Sequence, residues 1–264
     1  MGKQDRQEQP TVDPYAELAQ PFLQHYDLLR GLVRYELAAR QFDQHLPAPP
    51  ARIIDIGGGA GHQTFRLADR GYNVVLADPS EEMLRRASEQ LAHLGDETQR
   101  RIELIQTDAN ECANLYPDGE FDAAVCQGVV MYLPSTEPVV EVLAGLVRPG
   151  GIVSLIAKNA EALAMRAALE RRYADAINLF DAGSDLGRVG IVTRGDTLDS
   201  LKNSFKRHRL DLVAWYGIRV FTDHLATEPP GEDSALAVEA EWRAGQTDPY
   251  RQVARLLHLI GERS

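Results

Sequence analysis

The strongest chemical signal in the chain is the run Asp55-Ile56-Gly57-Gly58-Gly59-Ala60-Gly61. It follows the apolar stretch Ala51-Arg52-Ile53-Ile54, so the pattern reads as strand, tight turn and helix start. Glycines at such a turn let the backbone approach a ligand where any Cβ would clash. A dinucleotide-binding loop needs a third glycine three places after the second, and that position holds His62. The spacing present is instead D-x-G-x-G-x-G. Asp78 ends the next apolar run, Val74-Val75-Leu76-Ala77, followed by Pro79 and Ser80. A carboxylate about 20 residues after a glycine-rich loop can accept both hydroxyls of a ribose. Asp55 is better placed to hold the loop backbone than to touch a ligand.

These residues need a parallel sheet to position them. Strands are expected at Arg52–Ile56, Asn73–Ala77, Glu103–Gln106, Phe121–Cys126 and Gly151–Ala157, with helices at about 62–70, 80–94 and 137–147 between them. Ser80 with Glu81 and Glu82 suits a helix N-terminus. From Pro14 to about Leu46 apolar residues such as Leu18, Phe22, Leu29, Val33 and Leu37 recur at helical spacing, and Pro47-Ala48-Pro49-Pro50 ends the segment. Residues 160–180 are helical and arginine-rich, and 181–200 read as a loop or lid. Late strands are expected at about Leu212–Phe221 and Leu256–Ile260, with a helix at 234–244 between them.

Further motifs follow in order: Thr107-Asp108-Ala109-Asn110 after the third strand, Phe121-Asp122 through Gln127-Gly128-Val129-Val130-Met131-Tyr132-Leu133 on the fourth, and Leu146-Val147-Arg148-Pro149-Gly150-Gly151 before the fifth. Together with the glycine loop and Asp78 they resemble the class I S-adenosylmethionine (SAM) methyltransferases. The resemblance implies an α/β fold: a Rossmann-like seven-stranded sheet with an N-terminal helical segment and a lid insertion between strands five and six. The expected division is 1–50 for the helical extension, 51–157 for the SAM-binding core, 158–209 for the insertion and 210–264 for the strands that complete the sheet.

The chain also resembles, over nearly its full length, the bacterial tRNA 5-carboxymethoxyuridine methyltransferases. The matching residues include Leu29-Arg30, Gly57-Gly58-Gly59, Asp69-Arg70-Gly71-Tyr72, Ser154-Leu155-Ile156 with Asn159-Ala160, Gly217-Ile218-Arg219-Val220-Phe221-Thr222-Asp223-His224-Leu225, and Leu257-His258. That family implies SAM contacts at Arg30, Gly57, Gly58, Gly59, Asp78, Ala109, Asn110 and Gln127, with Asp55, Pro79 and Asp108 in the same motifs. Arg219 and Asn159 are the candidate catalytic residues. The Arg219 guanidinium fork matches a carboxylate. His224 next to Asp223 is available as a base. Two positions depart from the family: Gln127 stands where histidine is frequent, and Phe180-Asp181-Ala182-Gly183-Ser184-Asp185-Leu186-Gly187 replaces a lysine-rich run.

The net charge of −11, from 28 Lys+Arg against 39 Asp+Glu, repels phosphate backbones overall. Basic residues cluster locally at Arg166, Arg171 and Arg172 and at Lys202, Lys206, Arg207, His208 and Arg209, which suit solvated helix faces or a phosphate groove. The methyl acceptor is therefore expected to be either tRNA or an anionic small molecule. No apolar run reaches membrane-spanning length, and residues 1–8 lack an export signal, so a cytoplasmic location is expected. Cys112 and Cys126 are expected as buried thiols, and no His/Cys/Asp/Glu cluster has metal-ligand spacing.

Overall fold

In the computed structural model, residues 20, 24, 27–187, 190–225 and 227–264 are described. Five short strands, β1 (Arg52–Ile56), β2 (Asn73–Asp78), β3 (Ile102–Gln106), β4 (Phe121–Gln127) and β5 (Val147–Lys158), run parallel. After a two-stranded hairpin of β6 (Ser184–Leu186) and β7 (Val192–Arg194), the sheet is completed by β8 (Leu210–Ile218) and β9 (Leu256–Arg263). The order is β3-β2-β1-β4-β5-β9-β8, with β9 antiparallel to both neighbours. The order reverses at β1, which pairs with both β2 and β4. A crevice opens there at the carboxyl edge of the strands, where ligands bind in open α/β sheets.

The strands are apolar on both faces because both faces are covered. Ile53, Val125 and Ile260 pack with Phe42 and Leu67 on one side. Ile54, Ala124 and Leu155 pack on the other against Val139, Val140 and Leu143, and against Leu201 and Phe205. The first group of these partners includes α1 (Leu29–Asp43) and α2 (His62–Asp69); the second includes α6 (Glu137–Leu146) and α9 (Leu198–Arg207). Val33 and Leu37 of α1 pack on Ile156, Ile218 and Leu256, so the N-terminal helix lies over the β5-β9-β8 side. The helical pattern expected before residue 29, including Leu18 and Phe22, lies outside the described residues. Between β2 and β3 stand α3 (Glu81–Leu91) and the short α4 (Asp96–Gln99), and α5 (Ala109–Leu115) follows β3. Ser80 caps α3 by accepting from the Met83 N–H at 3.2 Å.

Two segments differ from the sequence expectation. Residues 181–200 are not a bare loop, because they contain the β6–β7 hairpin and the start of α9. In the hairpin Asp185 and Thr193 point inward and are buried, while Leu186 and Val192 are exposed. Lys158 at the end of β5 donates to Asp185 and, at 2.6 Å, to Thr193 Oγ1. Arg166 and Arg255 also pair with Asp185, at 3.1 and 2.7 Å. Ahead of the hairpin are α7 (Leu163–Leu169) and α8 (Tyr173–Leu179). The second difference is that β8 stops at Ile218 rather than Phe221. Arg219 takes a left-handed φ of 62°, and the buried carboxylate of Glu241 on α10 (Ser234–Ala244) then accepts from the N–H groups of Val220, Phe221 and Thr222 and from the Thr222 hydroxyl.

No helix among the described residues is long and apolar enough to cross a membrane. Cys112 and Cys126 are free, buried thiols.

Candidate functional site

A cavity of about 390 Å³ fills the crevice at the carboxyl ends of β1, β2, β3 and β4. The glycine loop forms its floor. Gly57 N donates to Ala77 O of β2 at 2.7 Å, which ties the loop to the neighbouring strand. A Cβ on Gly57 would overlap the Val129 side chain, and one on Gly58 would come within 2.9 Å of Asp55 Oδ2. Gly59 is different. At φ +57° its missing Cβ would meet, among the described residues, only Met83 Sδ, 4.0 Å away, so this position faces the cavity. The loop is therefore packed from below at Gly57 and Gly58 and left clear from above at Gly59, as a bound nucleoside requires.

Asp78 binds the loop as well as facing the cavity. Its Oδ2 accepts from Gly59 N and its Oδ1 from Ser80 N, both at 2.9 Å. Asp78 also lines the cavity, and a carboxylate at this strand end can accept from ribose hydroxyls. One strand further on, Asp108 caps α5 through Oδ1, accepting from Asn110 N at 2.8 Å and Glu111 N at 2.9 Å. Pro79, Asp108, Ala109 and Asn110 all line this end of the cavity, and Gln127 with Gly128 and Val129 lines the opposite end. A ribose on Asp78 and a base beside Asp108–Asn110 leave the β4 side for the remainder of the ligand. The residues present thus fit SAM: nucleoside toward β2 and β3, methionyl group toward β4.

Of the expected cofactor residues, the cavity wall contains all but Arg30 and Asp55. Asp55 lies beneath the loop, where its Oδ2 accepts from the Thr64 hydroxyl of α2 at 2.8 Å. Burial, with Asp78 nearby, pushes its carboxyl up to about 6. An acid whose pKa is raised by folding favours the native state while protonated. The ligand-free protein is therefore expected to lose stability as pH rises from about 4 to 6, by up to about 3 kcal/mol from this group. Chemical denaturation across that range should show a shallower slope for Asp55→Asn, and an unchanged slope would contradict the assignment.

Arg30 is buried and is not among the described residues that line this cavity. Arg34 is the α1 arginine on the wall, and its Nη2 donates to Gln127 O at 2.9 Å and packs against Gly128. Sequence pattern cannot separate the two, because i and i+4 share a helix face. His62 and Met83 are further wall residues without a sequence signal of their own, and Tyr132 joins them from the motif on the fourth strand. Burial lowers the His62 pKa, with the Arg34 charge adding to the effect.

The candidate catalytic pair does not meet in this cavity. Asn159 is fully buried, and its amide is engaged by backbone: Nδ2 donates to Gln252 O and Ala254 O at 2.9 Å each, and Oδ1 accepts from Glu161 N at 3.0 Å. It fastens the end of β5 to the segment entering β9. Arg219 lines a second, narrow cleft at the same edge of the sheet with Arg166, Arg255, Asp223 and His224. Its Nη1 lies 3.4 Å from Asp223 Oδ1, and Arg255 Nε lies 3.7 Å from Asp223 Oδ2. Burial lowers the Arg219 pKa to about 10, which leaves it cationic at neutral pH.

Comparison with known proteins agrees with this geometry. Residues 54–153 match the family model described as a methyltransferase domain. The tRNA 5-carboxymethoxyuridine methyltransferase of Escherichia coli K12 is 23% identical, over 94% of this chain and 95% of its own. A ubiquinone biosynthesis O-methyltransferase from Dechloromonas aromatica is 34% identical, over 44% of this chain and 48% of its own. Among solved structures, a SAM-dependent methyltransferase from Methanosarcina mazei superposes with a TM-score of 0.59 at 18% identity, covering 84% of this chain and 96% of its own. One from Mesorhizobium loti gives 0.59 at 19%, covering 85% and 96%. These likenesses show the fold. Residues 54–153 carry a methyltransferase domain, the sheet is that of the class I Rossmann-like fold, and the cavity fits SAM as the methyl donor.

Proposed function

We propose that this SAM-dependent methyltransferase esterifies a carboxylate, and that the acceptor is the carboxymethoxy group of a tRNA wobble uridine. The observation that carries the reading is the makeup of the cavity beyond Gln127, where Val129, Tyr132, Leu133, Pro134, Ser135 and Pro138 form the wall. Among the described lining residues the carboxylates are Asp78 and Asp108, both engaged at the nucleoside end. A hydroxyl acceptor needs a base to take its proton, whereas a carboxylate is already ionised at neutral pH. The E. coli relative, aligned along almost the whole of both chains, supports the particular acceptor.

Bound SAM supplies a methyl group activated by its sulfonium charge. The residues of the chain hold the donor, align the acceptor oxygen and keep water out. The glycine loop and Asp78 grip the nucleoside, Arg34 and Gln127 stand at the methionyl end, and the apolar wall excludes water. We read residues 158–209 as the cover of the acceptor side. Arg194 of β7 donates to Leu133 O and Val130 O at 3.2 Å and to Thr136 Oγ1 at 2.7 Å, so the hairpin is tied to the acceptor wall.

Arg219 is the acceptor-carboxylate contact in this reading. Its Nε is buried with no hydrogen-bond partner among the described residues. Arg219→Ala is expected to lower turnover efficiency at least ~30-fold while SAM affinity stays within about twofold. Calorimetry showing an equal loss of SAM affinity would assign the residue to the donor site instead.

A small anionic acceptor is the second reading, favoured by the pairing of the basic clusters. Arg172 pairs with Glu170 and Asp175, Lys202 with Asp199, and Arg207 and His208 with Glu137. The test is methyl transfer to tRNA lacking the wobble ester, read by nucleoside mass spectrometry at rising salt. Phosphate contacts predict a steep fall between about 50 and 200 mM. A tRNA preparation that gains no ester would remove the first acceptor.

A further inference from the structure

Behind Gln127 runs a chain of buried hydrogen bonds whose direction is determined at its far end. Gln127 Nε2 donates to Ser154 Oγ at 2.9 Å. Ser154 Oγ lies 2.8 Å from His258 Nε2, and His258 Nδ1 lies 2.8 Å from Gln41 Oε1. Gln41 Nε2 reaches the Gly217 carbonyl at 3.3 Å. The chain crosses from β4 through β5 and β9 to α1 and β8, and Ser154, His258 and Gln41 are all fully shielded from solvent.

A backbone carbonyl can only accept. Gln41 must therefore turn its NH2 to Gly217 and its oxygen to His258, which puts the imidazole proton on Nδ1. Burial drives the His258 pKa down to about 3, so the ring is neutral and Nε2 is bare. Nε2 then accepts the Ser154 hydroxyl proton, and the Ser154 oxygen accepts from the Gln127 amide. One orientation of Gln127 remains. Its NH2 faces the interior, and its Oε1, which receives no protein donor among the described residues, is left for the cavity that the residue lines.

We propose that His258 is a positioning residue for the methyl donor: acting through Ser154, it holds the Gln127 amide with its oxygen toward the cavity, where it accepts a hydrogen bond from the α-ammonium of the donor's methionyl group. This rests on the donor lying with its nucleoside toward Asp78 and its methionyl group toward β4. A reversed amide would set an NH2 against that ammonium. The chain thus makes the cavity end of β4 an acceptor by wiring it to a carbonyl across the sheet.

The test compares two ligands by calorimetry. S-adenosylhomocysteine carries the α-ammonium, and 5′-methylthioadenosine carries the nucleoside and sulfur without the amino-acid group. Ser154→Ala, a small change on a sheet strand, and His258→Phe should each weaken S-adenosylhomocysteine about tenfold while methylthioadenosine stays within about twofold. Gln127→Leu should do the same. Equal weakening of both ligands in the Ser154 and His258 variants would reduce the chain to structural support and overturn the proposal. Loss in Gln127→Leu alone would overturn the relay while keeping Gln127 at the methionyl end. A Gln127→Leu variant that discriminates no differently from the parent would overturn the donor orientation on which the proposal rests.

Discussion

Gly59→Val is expected to weaken SAM binding by at least ~100-fold, the larger of the two strongest effects in this protein. Gly59 has a φ of +57°, a conformation that a β-branched residue adopts only with strain. Its Cβ direction is open toward the cavity, with Met83 Sδ the nearest atom at 4.0 Å. The added side chain occupies the ligand's space rather than protein interior, so binding suffers more than folding. A 100-fold change corresponds to about 2.7 kcal/mol, comparable to losing the close backbone contact altogether. Gly57→Val would act differently, because a side chain there collides with Val129 and the cost appears in stability. Calorimetry on the folded Gly59→Val variant is the measurement, with its melting temperature lowered only by the backbone strain at this position. A SAM affinity within about fivefold of the parent would remove the loop from the donor site.

Asp78→Ala is expected to lower SAM affinity ~30–150-fold. In the proposed donor orientation the carboxylate accepts from the ribose, and loss of those bonds is worth ~2–3 kcal/mol. It also holds Gly59 N and Ser80 N at 2.9 Å each, so the variant releases two backbone donors of the loop and the following turn. Asp78→Asn separates these contributions, since an amide keeps one acceptor oxygen and loses the charge. A SAM analogue lacking the ribose 2′-hydroxyl should be hurt less by the substitution than SAM itself. Unchanged SAM affinity in Asp78→Ala would contradict the orientation of the nucleoside toward β2.

The cofactor end of the site was legible because it is written in backbone. Gly57, Gly58, Gly59, Asp78, Pro79, Asp108, Ala109, Asn110 and Gln127 lie on strand ends, on the turns that follow them or in the first turn of α5, and all line the cavity. Local pattern specifies such positions, since a short continuous apolar run followed by glycine or aspartate marks both the strand and its carboxyl end. The hairpin at 184–194 escaped for the opposite reason. Its buried face carries Asp185 and Thr193 and its exposed face Leu186 and Val192, so the usual apolar-inside alternation is inverted. That buried carboxylate is partnered by Lys158, Arg166 and Arg255, which lie outside the hairpin and which no pattern within it announces.

The sequence alone determined the parallel α/β sheet and the residues that line the β1–β3 end of its cavity, because each follows from local periodicity and turn chemistry. Tertiary structure alone decided which helix arginine faces the cavity. Arg34 rather than Arg30 reaches Gln127, since the rotation of α1 is set by Val33 and Leu37 packing on Ile156, Ile218 and Leu256. It also decided that Asn159 is a buried fastener, because its partners, the carbonyls of Gln252 and Ala254, arrive from more than 90 residues away. The orientation of the Gln127 amide belongs to the same class. It depends on Gly217, Gln41, His258 and Ser154, which four separate elements bring into line, and no local pattern encodes a hydrogen bond between residues that only the closed sheet makes neighbours.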